Sequence, residues 1–229
     1  MKIAIVTGAS GNMGQAIVKK YLNEGYNVVG TVVANDPIPI DIIDEKFEKL
    51  TVDLTSEDDS ENFINTVIEK YKTIDILVAT VGGFAMGVIK ETKTADILKQ
   101  YKLNFETAYN VARPAFMQMM RQNSGRIFLV GSKPGLNAKD GKGMIAYGLG
   151  KSLVFRLAEL MNEEAKGTNV VVSVLVPGTI DTEPNRKSMP DADFNKWVKP
   201  EAIADAAWFY CTDAAAVIRE PLIKLYNNA

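Results

Sequence analysis

Short apolar segments alternate along this chain with longer segments whose apolar residues recur every three or four positions. Residues 2–7 form the first apolar run and end in a glycine-rich turn, after which Met13, Ile17 and Leu22 fall on one side of a helix. Such periodicities are the main sequence signals for strands and helices. The pattern predicts further strands at 27–33, 49–53, 75–81, 126–131 and 169–176.

Long helices are predicted between these strands. One opens in the acidic stretch 56–61 and continues to Tyr71, with its carboxylates suited to the positive end of the helix dipole. Two others cover about 95–122 and 145–166. We expect Pro114 to bend or divide the first of these two, because proline lacks the amide hydrogen that a helix interior needs.

The predicted strands are nearly continuous in Val, Ile and Leu and do not alternate in polarity. Such strands are typical of a parallel sheet that helices cover on both faces. No internal repeat, low-complexity segment or linker divides the chain of 229 residues. The sequence therefore predicts the α/β class: a single domain, 1–229, built on a doubly wound (Rossmann-type) parallel sheet.

Composition narrows the choice of partners and location. A formal net charge of -2 gives no basic surface for a nucleic acid. The longest apolar stretches, such as 170–177, are far shorter than the roughly 18 residues of a membrane span. The chain runs directly into its first strand without a signal segment. We expect a cytoplasmic protein that binds neither nucleic acid nor membrane and acts on a small molecule.

Two residue types are scarce enough to exclude whole classes of chemistry. The chain has no histidine and one cysteine, Cys211, so it cannot form a Ser-His-Asp or Cys-His pair, a histidine-rich metal site or an internal disulfide. We predict no metal site. Proton transfer must come from Tyr, Lys, Asp, Glu or Ser.

The turn after the first strand reads Thr7-Gly8-Ala9-Ser10-Gly11-Asn12-Met13-Gly14. Glycines there let the backbone approach a diphosphate closely, and the N–H groups at the start of the next helix face the anion. A glycine turn at this place in a strand-turn-helix unit predicts a dinucleotide site. The alternative is a plain turn that binds no ligand.

Tyr147 and Lys151 lie four residues apart, on one face of a predicted helix. An adjacent ammonium stabilises a phenolate and lowers the phenol pKa, which makes tyrosine a workable proton donor or acceptor. The pair has little weight alone, because a solvated Tyr-Lys pair is a common surface feature. The motifs elsewhere in the chain provide the context, and the further support, that the pair needs.

That context resembles the short-chain dehydrogenase/reductase family over essentially the whole chain. Besides the glycine turn and Tyr147-x-x-x-Lys151, the matching motifs are Ser132 after a strand, Asn104 in a helix, and Pro177-Gly178-Thr179-Ile180-Asp181-Thr182 after the strand at 169–176. The resemblance implies an NAD(P)-dependent oxidoreductase that transfers hydride to a small carbonyl or C=N substrate, with a substrate loop at about 179–199.

The resemblance also implies residue roles. Tyr147 is the general acid or base, Lys151 holds the nicotinamide ribose and lowers the Tyr147 pKa, Ser132 binds the substrate and Asn104 joins a proton relay. Asp53 matches a position that touches adenine, although a turn residue before a helix is the other interpretation. The implied dinucleotide contacts are Gly8, Ser10, Gly11, Asn12, Met13, Gly14, Asp53, Leu54, Val81, Gly82, Tyr147, Lys151, Pro177, Gly178, Thr179, Ile180 and Thr182.

Several positions depart from the family pattern. The glycine spacing is Gly-x-x-Gly-x-x-Gly instead of the usual Gly-x-x-x-Gly-x-Gly. Ala79-Thr80-Val81-Gly82 replaces Asn-Asn-Ala-Gly, so an asparagine contact is lost. A Gly- and Lys-rich loop at 133–144 is expected to be mobile. Arg219-Glu220-Pro221 stands where a glycine-containing turn precedes the last strand, which leaves open how that strand closes.

The cofactor's 2'-group is normally read at the end of the second strand. Neither an acidic nor a basic residue stands there: no arginine precedes Arg113, and Asp36 lies late for a strand-end carboxylate. Because no acidic group is expected to repel a 2'-phosphate, the sequence favours NADPH over NADH.

Alternative functions remain open at this point. The segments 81–87 and 181–197 resemble dihydropteridine reductases, a branch of the same family, and imply reduction of a quinonoid pterin. A non-catalytic NAD(P)-binding regulatory protein could use the same fold. A nucleoside-sugar epimerase uses the glycine spacing seen here, but the C-terminal half leaves little room for a sugar-nucleotide subdomain. The family resemblance further implies a homodimer or homotetramer formed through the helices at 95–122 and 145–166.

Overall fold

The computed structural model describes residues 2–227 and contains a seven-stranded, entirely parallel sheet of order β3-β2-β1-β4-β5-β6-β7. Its inner strands are almost wholly buried, whereas the two edge strands, β3 and β7, are partly exposed. The strands are β1 (Ile3–Thr7), β2 (Asn27–Val32), β3 (Phe47–Thr51), β4 (Ile76–Ala79), β5 (Ser124–Val130), β6 (Asn169–Pro177) and β7 (Leu222–Leu225).

Helices cover both faces of this sheet, as the sequence predicts. They are α1 (Asn12–Asn23), α2 (Glu57–Tyr71), α3 (Thr94–Tyr101), α4 (Thr107–Arg121), α5 (Lys133–Leu136), α6 (Ile145–Glu164), α7 (Glu183–Ser188) and α8 (Pro200–Phe209). A π-helical segment, Lys102–Glu106, joins α3 to α4, and 3-10 turns lie at Ala138–Gly141, Phe194–Lys196 and Asp213–Ala215.

The sheet separates two apolar cores. Side chains of β1, β4 and β5 such as Ile5, Leu77 and Ile127 pack towards α2, α4 and α6 on one face. The alternate residues of the same strands, such as Val6, pack towards α1 and α8 on the other, where Ile17 is buried. This is the two-sided burial that the continuous apolar strands predict, and it is the fold class expected from the sequence.

The strand order reverses at β1. The chain first adds β2 and β3 on one side of β1 and later adds β4 to β7 on its other side. In doubly wound sheets, ligands bind outside the carboxyl ends of the strands at the point where the strand order reverses. Here that point lies between β1 and β4, beyond Thr7 and Ala79. None of the helices in residues 2–227 is both long and apolar enough to cross a membrane.

Pro114 does not divide its helix, so that half of the expected bend or division is wrong. It is buried inside α4, which continues from Thr107 to Arg121. The helical hydrogen-bond pattern changes instead at Lys102–Glu106. Insertions of this π type are frequent at functional sites, and this one contains Asn104.

The last strand closes despite the unusual turn that precedes it. Glu220 adopts the left-handed conformation, φ 54°, that glycine would otherwise supply. Arg219 secures the segment by donating to the carbonyl oxygens of Thr168 and Val170, each at 2.9 Å. As a result β7 pairs in parallel with β6. The loop predicted at 133–144 also contains ordered structure, namely α5 and a 3-10 turn.

Candidate active site

The glycine turn is as tight as its sequence predicts. Gly8 has φ +61°, and a Cβ placed on Gly14 would lie only 2.1 Å from the Gly8 carbonyl oxygen. Gly11 donates its N–H to that same oxygen at 3.0 Å. Glycine is therefore required at 14 by backbone contact and at 8 by conformation. Gly11 is also the N-cap of α1 and leaves the first-turn N–H groups without a side-chain cap.

The loop after β2 brings Asp36 back to the glycine turn, which the sequence interpretation missed. The Ser10 hydroxyl donates to one Asp36 carboxylate oxygen at 2.5 Å, and the Ile38 N–H donates to the other at 2.9 Å. Asn35, with φ 56°, turns the chain in this direction. These hydrogen bonds and the charge of Lys49 lower the Asp36 pKa. Asp36 thus lies beside the predicted dinucleotide loop, and its position late in the sequence does not keep it away.

Ser132 and Tyr147 come together at the carboxyl edge of the sheet. Ser132 follows β5, is 6% exposed and caps α5 by accepting the Gly135 N–H at 3.2 Å. Tyr147 lies in the first turn of α6, and its phenol lies within reach of the Ser132 side chain. Burial raises the Tyr147 pKa, and the neighbouring Ser132 hydroxyl opposes that effect. The net direction is upward.

Lys151 lies one helical turn beyond Tyr147 and is almost fully buried, at 4% exposure. Its Nζ donates to the Val130 carbonyl oxygen at 2.8 Å. Burial lowers the pKa of its ammonium to about 8. The predicted lowering of the Tyr147 pKa by Lys151 is wrong for this structure, because burial of the phenol dominates and the opposing influence comes from Ser132.

Asn104 clamps the backbone of Gly83. Its Oδ1 accepts the Gly83 N–H at 3.0 Å, and its Nδ2 donates to the Gly83 carbonyl oxygen at 2.9 Å and to Gln100 Oε1 at 2.8 Å. A Cβ on Gly82 would lie 2.7 Å from Asn104 Oδ1 and 3.1 Å from Lys151 Nζ. Asn104, Gly82 and Lys151 are therefore close neighbours, as the predicted site requires, and Gln100 joins them unpredicted.

A threonine pair replaces the asparagine contact that the sequence lacks. The Thr80 hydroxyl donates to the Thr7 carbonyl oxygen at 2.6 Å, and the Thr80 N–H donates to the Thr7 hydroxyl at 3.1 Å. Val81 lies against the glycine turn, since a Cβ on Gly8 would approach its Cγ2 to 3.1 Å. The ends of β1 and β4 are held together by these contacts.

The segment after β6 continues the same edge. Gly178 follows Pro177, the last residue of β6, and donates its N–H to the Leu225 carbonyl oxygen at 2.8 Å. Thr179 accepts the Val198 N–H, and Ile180 forms a bridge with Val198. Both contacts close the base of the segment 179–199.

Thr182 lies next to the start of α1. It caps α7 by accepting the Asn185 N–H at 3.3 Å. Together with Asn12 it lines a cleft of about 360 Å³. Met13, which follows Asn12, packs instead against the core on the α1 side of the sheet.

Asp53 and Leu54 lie after β3, where the structure gives Asp53 a turn contact. Its Oδ1 accepts both the N–H and the hydroxyl of Thr55, at 2.9 and 2.7 Å, and these hydrogen bonds lower its pKa. The cap of α2 is Ser56, not Asp53. Leu54 is buried, and its carbonyl oxygen accepts from Asn110 Nδ2 at 3.0 Å.

Comparisons with known proteins identify related chains. The family model described as short chain dehydrogenase matches residues 2–193. The uncharacterized oxidoreductase YvrD of Bacillus subtilis is 30% identical over 80% of this chain and 70% of its own. The 3-oxoacyl-[acyl-carrier-protein] reductase FabG of Thermotoga maritima is 23% identical over 98% of this chain and 96% of its own. A solved structure, ElxO with NADP bound, superposes with a TM-score of 0.88 at 22% identity, covering 98% of this chain and 96% of that one.

The chain belongs to the short-chain dehydrogenase/reductase family and is an NAD(P)-dependent oxidoreductase. The residues at the carboxyl edge fit a nicotinamide dinucleotide. Gly8 and Gly14 leave the backbone bare where a Cβ would intrude, and the N-terminus of α1 has no side-chain cap to compete with an anion. Lys151 lies beside Gly82, since a Cβ on Gly82 would approach its Nζ to 3.1 Å.

Proposed function

We propose that this enzyme reduces a small carbonyl compound with NAD(P)H, using Tyr147 as the proton donor. One observation carries the proposal: the Tyr147 phenol lies within reach of the Ser132 side chain at the carboxyl edge of the sheet, with the Lys151 ammonium buried one helical turn away. A protonated phenol is the form required of a general acid, and burial, which raises the Tyr147 pKa, favours that form.

Each residue has a separate task in this proposal. The dinucleotide supplies the hydride when it is bound. Tyr147 donates its proton to the carbonyl oxygen, and the Ser132 hydroxyl hydrogen-bonds the same oxygen and stabilises the charge that develops there. Lys151, charged below a pKa of about 8, would hold the ribose hydroxyls of the dinucleotide. Asn104 holds Gly83 in place beside Lys151.

The other dinucleotide contacts are proposed in three groups. The glycine turn from Gly8 to Gly14 holds the diphosphate. Asp53 and Leu54 lie beside the adenine, and the segments Val81–Gly82 and Pro177–Thr182 enclose the nicotinamide half. The same proposal assigns the segment 179–199 to the substrate loop.

We propose NADPH as the preferred dinucleotide. Val32 at the end of β2 carries no carboxylate, and the structural relative ElxO holds NADP. Asp36 is the nearby acidic group, but its two oxygens already accept hydrogen bonds from Ser10 and Ile38. Lys49 lies close enough to lower the Asp36 pKa and is the cation available to a 2'-phosphate.

Turnover of a substrate panel tests the proposed reaction. The purified enzyme is mixed with NADPH or NADH and with ketones, aldehydes, quinones and a quinonoid dihydropterin, and loss of absorbance of the reduced dinucleotide is followed. Reduction of ketones or aldehydes supports the proposal. Oxidation of the dinucleotide by the pterin alone would favour the dihydropteridine reductase-like alternative. The two segments that carry this resemblance, 81–87 and 181–197, both follow strands at the carboxyl edge of the sheet. Tight dinucleotide binding without any turnover would favour a regulatory protein.

We propose a homo-oligomer, a dimer or tetramer, formed through α3–α4 and α6. Leu98, Tyr109 and Met117 are exposed on the first helix pair, and Leu149, Leu153 and Leu160 are exposed on α6. Apolar side chains repeated on two adjacent helices are typical of a subunit interface. Sedimentation analysis distinguishes the two assemblies from a monomer. A cytoplasmic location stays a prediction.

A further inference from the structure

The loop Gly83–Gly87 is fixed at both ends although it lies at the surface. Asn104 holds Gly83 through two hydrogen bonds. At the other end Gly87 donates its N–H to the Gly143 carbonyl oxygen at 2.7 Å and accepts the Ile145 N–H at 3.1 Å. The second attachment is made directly before Tyr147, so the loop and the catalytic helix hold one another in place.

Neighbouring side chains pack closely against both attachment points. A Cβ on Gly83 would lie 2.6 Å from Leu103 Cδ2, and a Cβ on Gly87 would lie 2.9 Å from Thr92 Oγ1. The loop therefore cannot easily move inward or outward without breaking its hydrogen bonds. Its position is determined by the Asn104 side chain at one end and by backbone hydrogen bonds to Gly143 and Ile145 at the other.

Between the fixed ends the loop presents apolar side chains to solvent. Phe84 is 62% exposed and Met86 is 66% exposed. The Phe84 ring lies against Tyr147, with 5.2 Å between the ring centroids and 74° between the planes. A large exposed aromatic group held beside a catalytic phenol is unusual for a loop that has only a structural role, because its apolar surface stays in water.

We propose that Phe84 is the substrate-selecting wall of this site and that the preferred substrate carries an aromatic ring directly on its carbonyl carbon. The proposal rests on the proposed carbonyl reduction. When Tyr147 binds the carbonyl oxygen, the substituent on the adjacent carbon begins within a few ångströms of the phenol and thus beside Phe84. Aromatic rings pair favourably offset or edge-on at centroid separations of about 4.5–7 Å. The Met86 thioether adds a second group that contacts aromatic rings well.

The test compares two ketones of similar size, acetophenone and cyclohexyl methyl ketone, which differ in whether the ring is aromatic. The measured quantity is the ratio of their kcat/KM values in the wild type and in Phe84→Leu. Dividing one enzyme's ratio by the other's removes the intrinsic reactivities of the ketones. Loss of one aromatic contact predicts that Phe84→Leu lowers the ratio by about two- to tenfold.

Phe209→Leu is the matched control. Phe209 is also exposed and also lies edge-on to a tyrosine, Tyr210, with ring centroids 5.5 Å apart, but it lies on α8, away from Tyr147. The acetophenone preference should stay unchanged in this variant. Because Phe84 is mostly exposed, we expect Phe84→Leu to fold normally, and its melting temperature checks this.

A binding measurement separates failure of this inference from failure of the proposed function. Dissociation constants of both ketones are measured by calorimetry in the presence of NADPH, for Tyr147→Phe and for the double variant Phe84→Leu/Tyr147→Phe. Tighter binding of acetophenone that depends on Phe84 supports the wall even if no ketone is turned over by the wild type. A kcat/KM ratio of the two ketones that is unchanged by Phe84→Leu, or that falls equally in Phe209→Leu, would overturn it. Acetophenone binding that is no tighter than binding of cyclohexyl methyl ketone, or that does not depend on Phe84, would overturn it as well.

Discussion

Burying the Lys151 ammonium lowers the stability of the folded chain at neutral pH, and replacing this residue should therefore stabilise it. The pKa falls from an ordinary value near 10.5 to about 8 because the side chain is buried. That difference corresponds to about 3 kcal/mol, since each pKa unit is worth about 1.36 kcal/mol. Lys151→Met keeps the aliphatic part of the side chain and removes the charge.

The hydrogen bond to Val130 reduces this gain. Lys151→Met deprives the Val130 carbonyl oxygen of its donor, a loss of about 1 kcal/mol. The net stabilisation at pH 7, without dinucleotide, is therefore about 2 kcal/mol, or a melting temperature higher by about 5 °C for a chain of this size. Under the proposed mechanism the same variant loses turnover.

The stabilisation must depend on pH. The unfolded chain binds the proton up to a pKa near 10.4, whereas the folded chain releases it near 8, so wild-type stability rises with pH between about 8 and 10.4. The advantage of Lys151→Met is complete below pH 8 and is reversed by about pH 10.4, where the wild type is free of the buried charge and the variant still lacks a hydrogen bond worth about 1 kcal/mol. Urea unfolding at pH 7 and pH 10 measures both limits.

Lys139→Met is a suitable control, because Lys139 is exposed in the nearby 3-10 turn. Its substitution should change the unfolding free energy by less than about 0.5 kcal/mol at either pH. A Lys151→Met variant that is less stable than the wild type at pH 7, or whose advantage is the same at pH 7 and pH 10, would show that burial of the ammonium has been misjudged.

Two further predictions concern dinucleotide binding. Gly14→Ala places a Cβ 2.1 Å from the Gly8 carbonyl oxygen and should weaken dinucleotide binding at least about tenfold by forcing the turn open. Gly11→Ala should weaken binding much less, because its Cβ meets the same oxygen at 3.4 Å. Fluorescence titration with NADPH measures both variants, and equal losses would contradict the packing argument. Lys49→Gln should lower the ratio of kcat/KM for NADPH to that for NADH by about two- to tenfold, because it removes a cation near the proposed 2'-phosphate. Asp36→Asn should raise the same ratio by a similar factor, because it removes an anion there. Shifts of the ratio in the same direction for both variants would refute this assignment.

Much of the fold could be predicted because its determinants are local in sequence. The parallel sheet follows from strands that are apolar on both faces, and the tight turn between β1 and α1 follows from Gly8 and Gly14, one needed for conformation and the other for close contact. Tyr147 and Lys151 share one face of α6 because residues four apart on a helix always do. Ser132, which follows β5, lies close enough to Tyr147 to influence the pKa of its phenol.

The parts that could not be predicted depend on contacts between distant residues. Asp36 contacts Ser10 where Asn35 adopts a left-handed conformation. The sequence allows this conformation but contains no signal that predicts it. The π-helical segment that directs Asn104 to Gly83 replaced an expected break at Pro114. The Tyr147 pKa was predicted to fall because Lys151 is near it in sequence, but burial, which only the folded structure reveals, raises it.

The proposed reaction is tested most directly by following deuterium from the reduced nicotinamide to the product in the wild type and in Tyr147→Phe. With dinucleotide deuterated at C4 on the transferred face, the wild type should place deuterium on the carbinol carbon of the product alcohol. Tyr147→Phe should form no labelled alcohol while its dissociation constant for the dinucleotide stays within about twofold of the wild-type value. Labelled alcohol formed by Tyr147→Phe at an undiminished rate would contradict the assignment of Tyr147 as the proton donor.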